Sequence, residues 1–106
     1  MQFTRLRGVP RRHCVTLAVS GEVDHEHWER FRDAILESAR PRGTRAVVLD
    51  LSRVVFFDSG GIRAVINARK ALQERGVAMH LDGASPPVQR LFDMSGLDAY
   101  ILPFPG

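Results

Sequence analysis

A chain of 106 residues, 44% apolar and 25% charged, has the size and balance of one folded domain, which excludes a disordered or collagen-like polymer. Its formal net charge of +3 comes from scattered arginines, with Lys70 the single lysine, and its single cysteine rules out an internal disulfide framework. No apolar run is long enough to cross a bilayer, and the basic start "MQFTRLRGVPRRH" has no apolar signal segment, so a cytoplasmic protein away from membranes is expected.

Residues 3–7 read as a short first strand, turned by Gly8-Val9-Pro10. The densest basic cluster, Arg5, Arg7, Arg11 and Arg12, has little aromatic interleaving and reads as a solvated hairpin, so no direct nucleic-acid contact is expected. From Cys14 to Ser20, Val15, Leu17 and Val19 alternate with Cys14, Thr16 and Ala18, a strand pattern that Gly21 should break. Cys14 itself reads as a small buried hydrophobe. Asp24 is a good N-cap for "HEHWERFRDAILESAR", where Trp28, Phe31, Ile35 and Ala39 share one helical stripe, and Pro41-Arg42-Gly43 ends that helix.

"RAVVLDLS" (45–52) is a nearly continuous apolar run, expected to be a central strand buried on both faces and parallel to a neighbour. Ile62, Val65, Ile66, Ala68 and Leu72 then recur at helical spacing until Gly76, and "VAMHLD" (77–82) is another strand. Ser85 followed by Pro86 marks a capped helix start, with Val88, Leu91 and Phe92 inward, Gly96 as a left-handed cap and Leu97 as its apolar contact. A short strand around 100–102 closes an order of β-β-α-β-α-β-α-β, hence an α/β fold with a mixed sheet of four to five strands, an antiparallel N-terminal hairpin and packed helices.

The stretch "VVFFDSGGI" (54–62) raises the functional question. Asp58 or Ser59 is expected to cap the following helix, because the free N–H groups there need an acceptor. Gly60 and Gly61 cost stability in a first helical turn, so they imply close approach of a backbone or ligand, or unusual dihedrals. Of Phe56 and Phe57, one ring should be buried and the other near the surface. Such a tip at the carboxyl end of a strand is where open α/β sheets place their sites.

Ser59 as a nucleophile finds no G-x-S-x-G elbow, and His80 alternates within a strand. Asp24, His25, Glu26 and His27 look metal-like in composition, but His25 and His27 are two residues apart and point to different sides of a helix, so a solvated helix start and no metal are expected. "DSGGIR" lacks the Walker lysine and the G-x-G-x-x-G spacing, so no nucleotide cofactor is implied. What remains is a regulatory phosphosite, or an anion site at the helix start formed by residues 58–61.

"GEVDHEHWERF", "VVLDLSRVVFFDSGGIRAVI" and "VQRLFDMSGL", in that order, resemble the anti-sigma factor antagonists of the bacterial STAS family over roughly residues 10–102. The resemblance implies a single STAS domain over residues 1–106, without enzymatic activity or cofactor, that binds an anti-sigma factor which is also a serine kinase of histidine-kinase-like ATPase fold. The unphosphorylated antagonist holds that kinase and frees a sigma factor; phosphorylation releases it, and a PPM-type serine phosphatase resets the switch. It makes Ser59 the phospho-acceptor, with Asp58, Gly60, Gly61 and Ile62 shaping the helix start and, with Ser59 and Asp24, facing the partner. Asp24 would also cap its own helix, and Ser95 and Gly96 match a tail motif with a structural capping role.

Many members carry a second serine where Gly60 stands, so here the motif offers one hydroxyl. The family usually continues into a last helix beyond "ILPFPG"; without it, an apolar patch favouring self-association is expected, and the oligomeric state stays open. The same fold also serves as an accessory subunit of membrane transport complexes, which is the alternative role.

Overall fold

The alternation of branched apolar residues builds the sheet in this computed structural model, which describes residues 1–7, 13–97 and 101. β1 (Gln2–Arg7) pairs antiparallel with β2 (Cys14–Val23), from Gln2 opposite Ser20 to Arg7 opposite Val15. β2 runs parallel to β3 (Ala46–Phe57), and β3 runs parallel to β4 (Ala78–Ala84), in the spatial order β1-β2-β3-β4. The mixed sheet with an antiparallel N-terminal hairpin is the architecture expected from the order of elements. The turn at residues 8–10 lies outside the described residues, as do Arg11 and Arg12.

Both central strands are longer than the sequence pattern indicates. Gly21 does not end β2: its backbone takes φ +89°, a conformation glycine adopts freely, and the strand passes through two register shifts before reaching Val23. β3 keeps Ala46, Val47, Val48 and Leu49 buried, as a strand covered on both faces should. It then outruns β4, whose last pairing is Leu51 with Ala84, and continues to Phe57. Along that overhang Val54 and Phe57 stay buried while Val55 and Phe56 face outward.

The helices bury one stripe each. α1 (Trp28–Ser38), preceded by a 3-10 turn at His25–His27, buries Phe31 and Ile35, and Ala39 follows on the same face. α2 (Ser59–Glu74) buries Ala64, Val65, Ala68 and Leu72; Ile66, expected inward, is 47% exposed because it falls on the opposite side of the stripe. α3 (Pro86–Ser95) buries Val88 and Phe92 and ends on Gly96 at φ +75°, with Leu97 buried beyond it. Each fully buried Ile or Phe contributes about 1.5–3 kcal/mol through area removed from water.

Ser85 stands at the N-cap of α3, but its hydroxyl does not cap: Oγ is buried and without a hydrogen bond among the described residues. Its backbone takes over, with N–H donating to Leu51 O at 3.2 Å and the carbonyl accepting from Gln89 N at 2.9 Å, so α3 is pinned to β3 while Pro86 starts the helix. Tyr100 and Leu102 of the expected last strand lie outside the described residues; Ile101 is buried in a bend and donates its N–H to Leu97 O at 2.8 Å.

The core has an aromatic spine. Phe3 of β1 stacks on Phe31 of α1 at 6.4 Å between centroids, Phe31 meets Phe57 of β3 edge-on at 6.4 Å, and Phe57 meets Phe92 of α3 at 6.2 Å. Phe57 thus joins elements from every part of the chain directly beneath the start of α2.

Candidate functional site

At the carboxyl ends of the parallel strands β2 and β3, Val23 lies opposite Phe57 and the Asp58 N–H donates to Val23 O at 3.3 Å. Both chains leave the sheet through an aspartate. Asp24 is extended at the N-cap of the 3-10 turn, and its Oδ1 accepts from the His27 backbone N–H at 3.1 Å. Asp58 is extended at the N-cap of α2, and its Oδ1 accepts from Gly60 N at 2.8 Å while its carbonyl accepts from Gly61 N at 3.0 Å. The second carboxylate oxygen of Asp58 reaches across to the other loop and accepts from the His25 N–H at 3.1 Å. One negative group therefore sits at two helix starts, where the free N–H groups and the dipole favour it.

Asp24 finds its second partner locally. Its Oδ1 lies 2.7 Å from His27 Nδ1, and that hydrogen bond is the largest cause holding the Asp24 carboxyl below its ordinary value of 3.8. The charge of His27 and the backbone N–H groups of His27 and Glu26 act in the same direction, against some desolvation. The four polar residues of this loop thus form a hydrogen-bonded helix start; among the described residues there is no group of three or more side chains placed to hold a metal ion.

Ser59 is the first residue of α2 and is exposed, and among the described residues its hydroxyl makes no hydrogen bond. Asp58, not Ser59, is the cap, so the serine is left outward-facing at a capped helix start. The two glycines behind it have a steric cause. A Cβ on Gly60 would stand 2.5 Å from His25 Cα, 2.8 Å from His25 N and 2.9 Å from Asp24 O, all backbone atoms. A Cβ on Gly61 would strike the Phe57 ring. Of the readings open at the sequence level, close approach of the chain's own backbone and core ring explains both glycines. Ile62 is half-buried and packs against the core edge, so of the expected partner-facing residues Ser59 is the one that is exposed, Asp24 and Asp58 are half-buried, and Gly60 and Gly61 are buried beneath them.

Phe57 is 5% exposed and Phe56 46%, the division expected of the pair, and Val55 beside them is 71% exposed, so an apolar margin borders the Ser59 tip. Sequence reasoning missed a second feature there. Trp28, expected to point inward, is half-buried and carries two guanidinium groups, Arg63 at 4.2 Å and Arg32 at 5.0 Å from the ring centroid. The signal in the sequence was an arginine four residues after Ser59, but its partner ring lies in a different helix. Elsewhere, Ser95 Oγ donates to Phe92 O at 3.1 Å and Gly96 closes α3, both in capping roles. Cys14 is half-buried, not buried, because it lies on the sheet face opposite Val15 and Leu17.

A mixed four-stranded sheet with helix starts gathered at its carboxyl end, and an exposed serine at their tip, defines a small α/β domain. The family model described as "Mlab, STAS domain" matches residues 9–103, and the chain belongs to the STAS domain family. It is 34% identical over 86 residues to the anti-sigma F factor antagonist of Paenibacillus polymyxa, covering 81% of this chain and 74% of that one. It is 30% identical over 79 residues to the anti-sigma-B factor antagonist of Staphylococcus aureus (strain NCTC 8325 / PS 47), covering 74% of this chain and 72% of that one. The solved structure of the anti-sigma factor antagonist SpoIIAA in its unphosphorylated form shares the fold, with a TM-score of 0.75 at 24% identity over 97% of this chain and 88% of that one. Among the described residues no helix is long and apolar enough to cross a membrane.

Proposed function

We propose that this chain is a cytoplasmic, non-enzymatic anti-sigma factor antagonist with Ser59 as its switch. In this reading the unphosphorylated protein binds a serine-kinase anti-sigma factor of histidine-kinase-like ATPase fold and so frees a sigma factor. The observation that carries it is the exposed, unbonded Ser59 hydroxyl at a helix start that Asp58 caps, in a chain 34% identical to an anti-sigma F factor antagonist.

Phosphorylation forms a bond from Ser59 Oγ to the γ-phosphorus of ATP and breaks the bond from that phosphorus to the bridging oxygen. ADP leaves, and the hydroxyl proton passes to a base of the kinase. The product carries about −1.5 to −2 charges, which a helix N-terminus accommodates without unfolding. Asp58 and Asp24 add charge of the same sign close by, so the tip turns strongly anionic beside the apolar margin of Val55 and Phe56. Contact made by the unmodified tip is lost through added repulsion and desolvation, and a PPM-type serine phosphatase restores it.

The test is binding and phosphosite mapping with the kinase encoded in the native host. Wild type should form a stoichiometric complex and gain one phosphate on Ser59. Ser59→Ala should bind, remain unmodified and keep its stability within about 0.5 kcal/mol, as expected of an exposed side chain without partners. A phosphate still added to Ser59→Ala would overturn the site. Recovery of the unmodified protein with a membrane transport complex instead of a kinase would favour an accessory-subunit role.

A further inference from the structure

The two arginines on Trp28 are held differently. Arg32 is anchored, with its guanidinium 3.0 Å from Asp33 and 3.9 Å from Glu29. Arg63 is exposed, and among the described residues it pairs with no carboxylate; its guanidinium lies over the Trp28 ring, 4.2 Å from the centroid. Arg63 is also four residues after Ser59 on α2, which places the two on the same helical face one turn apart. Long helical side chains lean toward the helix N-terminus, so the reach of Arg63 covers the turn that Ser59 begins.

We propose that Arg63 is a phosphate ligand built into the chain: when Ser59 carries a phosphate, Arg63 leaves the Trp28 ring and pairs with it. The inference rests on the reading of Ser59 as a phospho-acceptor. A partly exposed cation–ring contact is weaker than the paired, charge-assisted hydrogen bonds a guanidinium makes to a phosphate. No competing cation stands nearby on the helix, since Gly60, Gly61, Ile62, Ala64, Val65 and Ile66 complete its first two turns. The carboxylates beside Ser59 sharpen the need for a counter-charge, and they are already occupied, Asp58 by Gly60 and His25 and Asp24 by His27.

One modification then changes two surface features at once. It adds a dianion at the helix tip, and it uncovers the face of an indole that a guanidinium had covered. A partner whose contact includes the Arg63–Trp28 pair senses the phosphate even where it does not touch Ser59. The arrangement also partly neutralises the phosphate, which sets how much of its charge a partner or phosphatase meets.

The experiment installs phosphoserine at position 59 of the full chain by codon reassignment, so that no kinase is needed. In the unmodified protein the Trp28 ring current should hold the Arg63 Nε–H resonance upfield; with phosphoserine it should move downfield, and the emission of the single tryptophan should change. Phosphorus NMR should place the second ionisation of the phosphate below its ordinary value of about 6, and Arg63→Ala should raise it, with Arg63→Lys between the two. An Arg63 resonance and a Trp28 emission unchanged by the phosphate would overturn the proposal, as would a phosphate ionisation that Arg63→Ala leaves in place. A kinase that never modifies Ser59 would instead overturn the functional reading, and the installed phosphoserine still tests Arg63 independently.

Discussion

Asp24 and Asp58 occupy equivalent places, each ending a parallel strand and capping the helical turn that follows, yet their carboxylates serve different structures. Asp24 directs one oxygen to the backbone and ring of His27, three residues away, and closes its own loop. Asp58 divides its oxygens between Gly60 in its own helix and His25 in the other loop. The first arrangement is a local cap that a neighbouring side chain tunes. The second holds two chain segments in register, and the absence of a Cβ on Gly60 lets them come close enough for it.

Substitutions that separate local capping from bridging break or sharpen this contrast. The largest effect is expected from Asp58→Ala, which removes an acceptor from two helix starts and should cost about 2–3 kcal/mol in urea or thermal unfolding. Asp58→Asn keeps one acceptor oxygen and should fall between wild type and alanine; a cost no greater than that of Asp24→Ala would mean that the bridge to His25 carries no weight.

Gly60→Ser should cost about 1–3 kcal/mol, because the new Cβ meets backbone that must shift. Its amide shift changes should concentrate at Asp24 and His25. A serine accepted there without movement of that loop would show that the close packing is not required.

The smallest effect is expected at Asp24. Its carboxyl is held below 3.8 in the folded chain, so the unfolded state binds the proton first. The stabilisation is present above the unfolded value and is lost as the pH falls through that value toward the folded one. Asp24→Asn lacks this titration, so the stability difference between wild type and variant should be largest at neutral pH and close up in acid. A difference independent of pH would mean that the folded chain does not hold the Asp24 carboxyl below its ordinary value.

Local rules were legible in the sequence and distant ones were not. The hairpin, the doubly buried β3, the Asp24 cap and the Gly96 closure follow from periodicity and capping chemistry within a few residues. Gly21 misleads because a bulge and a chain break demand the same freedom of φ, and the parallel pairing that carries β2 on to Val23 is invisible in one strand alone. Ser85 misleads in the opposite way: the right residue stands at the N-cap, but the backbone makes the bonds. At the site, the expectation of close approach behind Gly60 and Gly61 was sound, whereas the object approached, His25 in one case and Phe57 in the other, depends on packing between segments far apart in the chain. The Arg63–Trp28 contact was hidden for the same reason.

The bridge at Asp58 also bears on how the tip breathes. Two amides held by the two oxygens of one carboxylate both lose their acceptor when that side chain swings away, and such an event exposes His25 and Gly60 together although they belong to different helical segments. A fluctuation that lifts the Asp58 end of α2 also breaks the hydrogen bond that ties it to the turn after Asp24. An enzyme that needs Ser59 drawn away from the surface must therefore open a two-loop unit, while one that accepts the helix start as it stands meets a hydroxyl already presented.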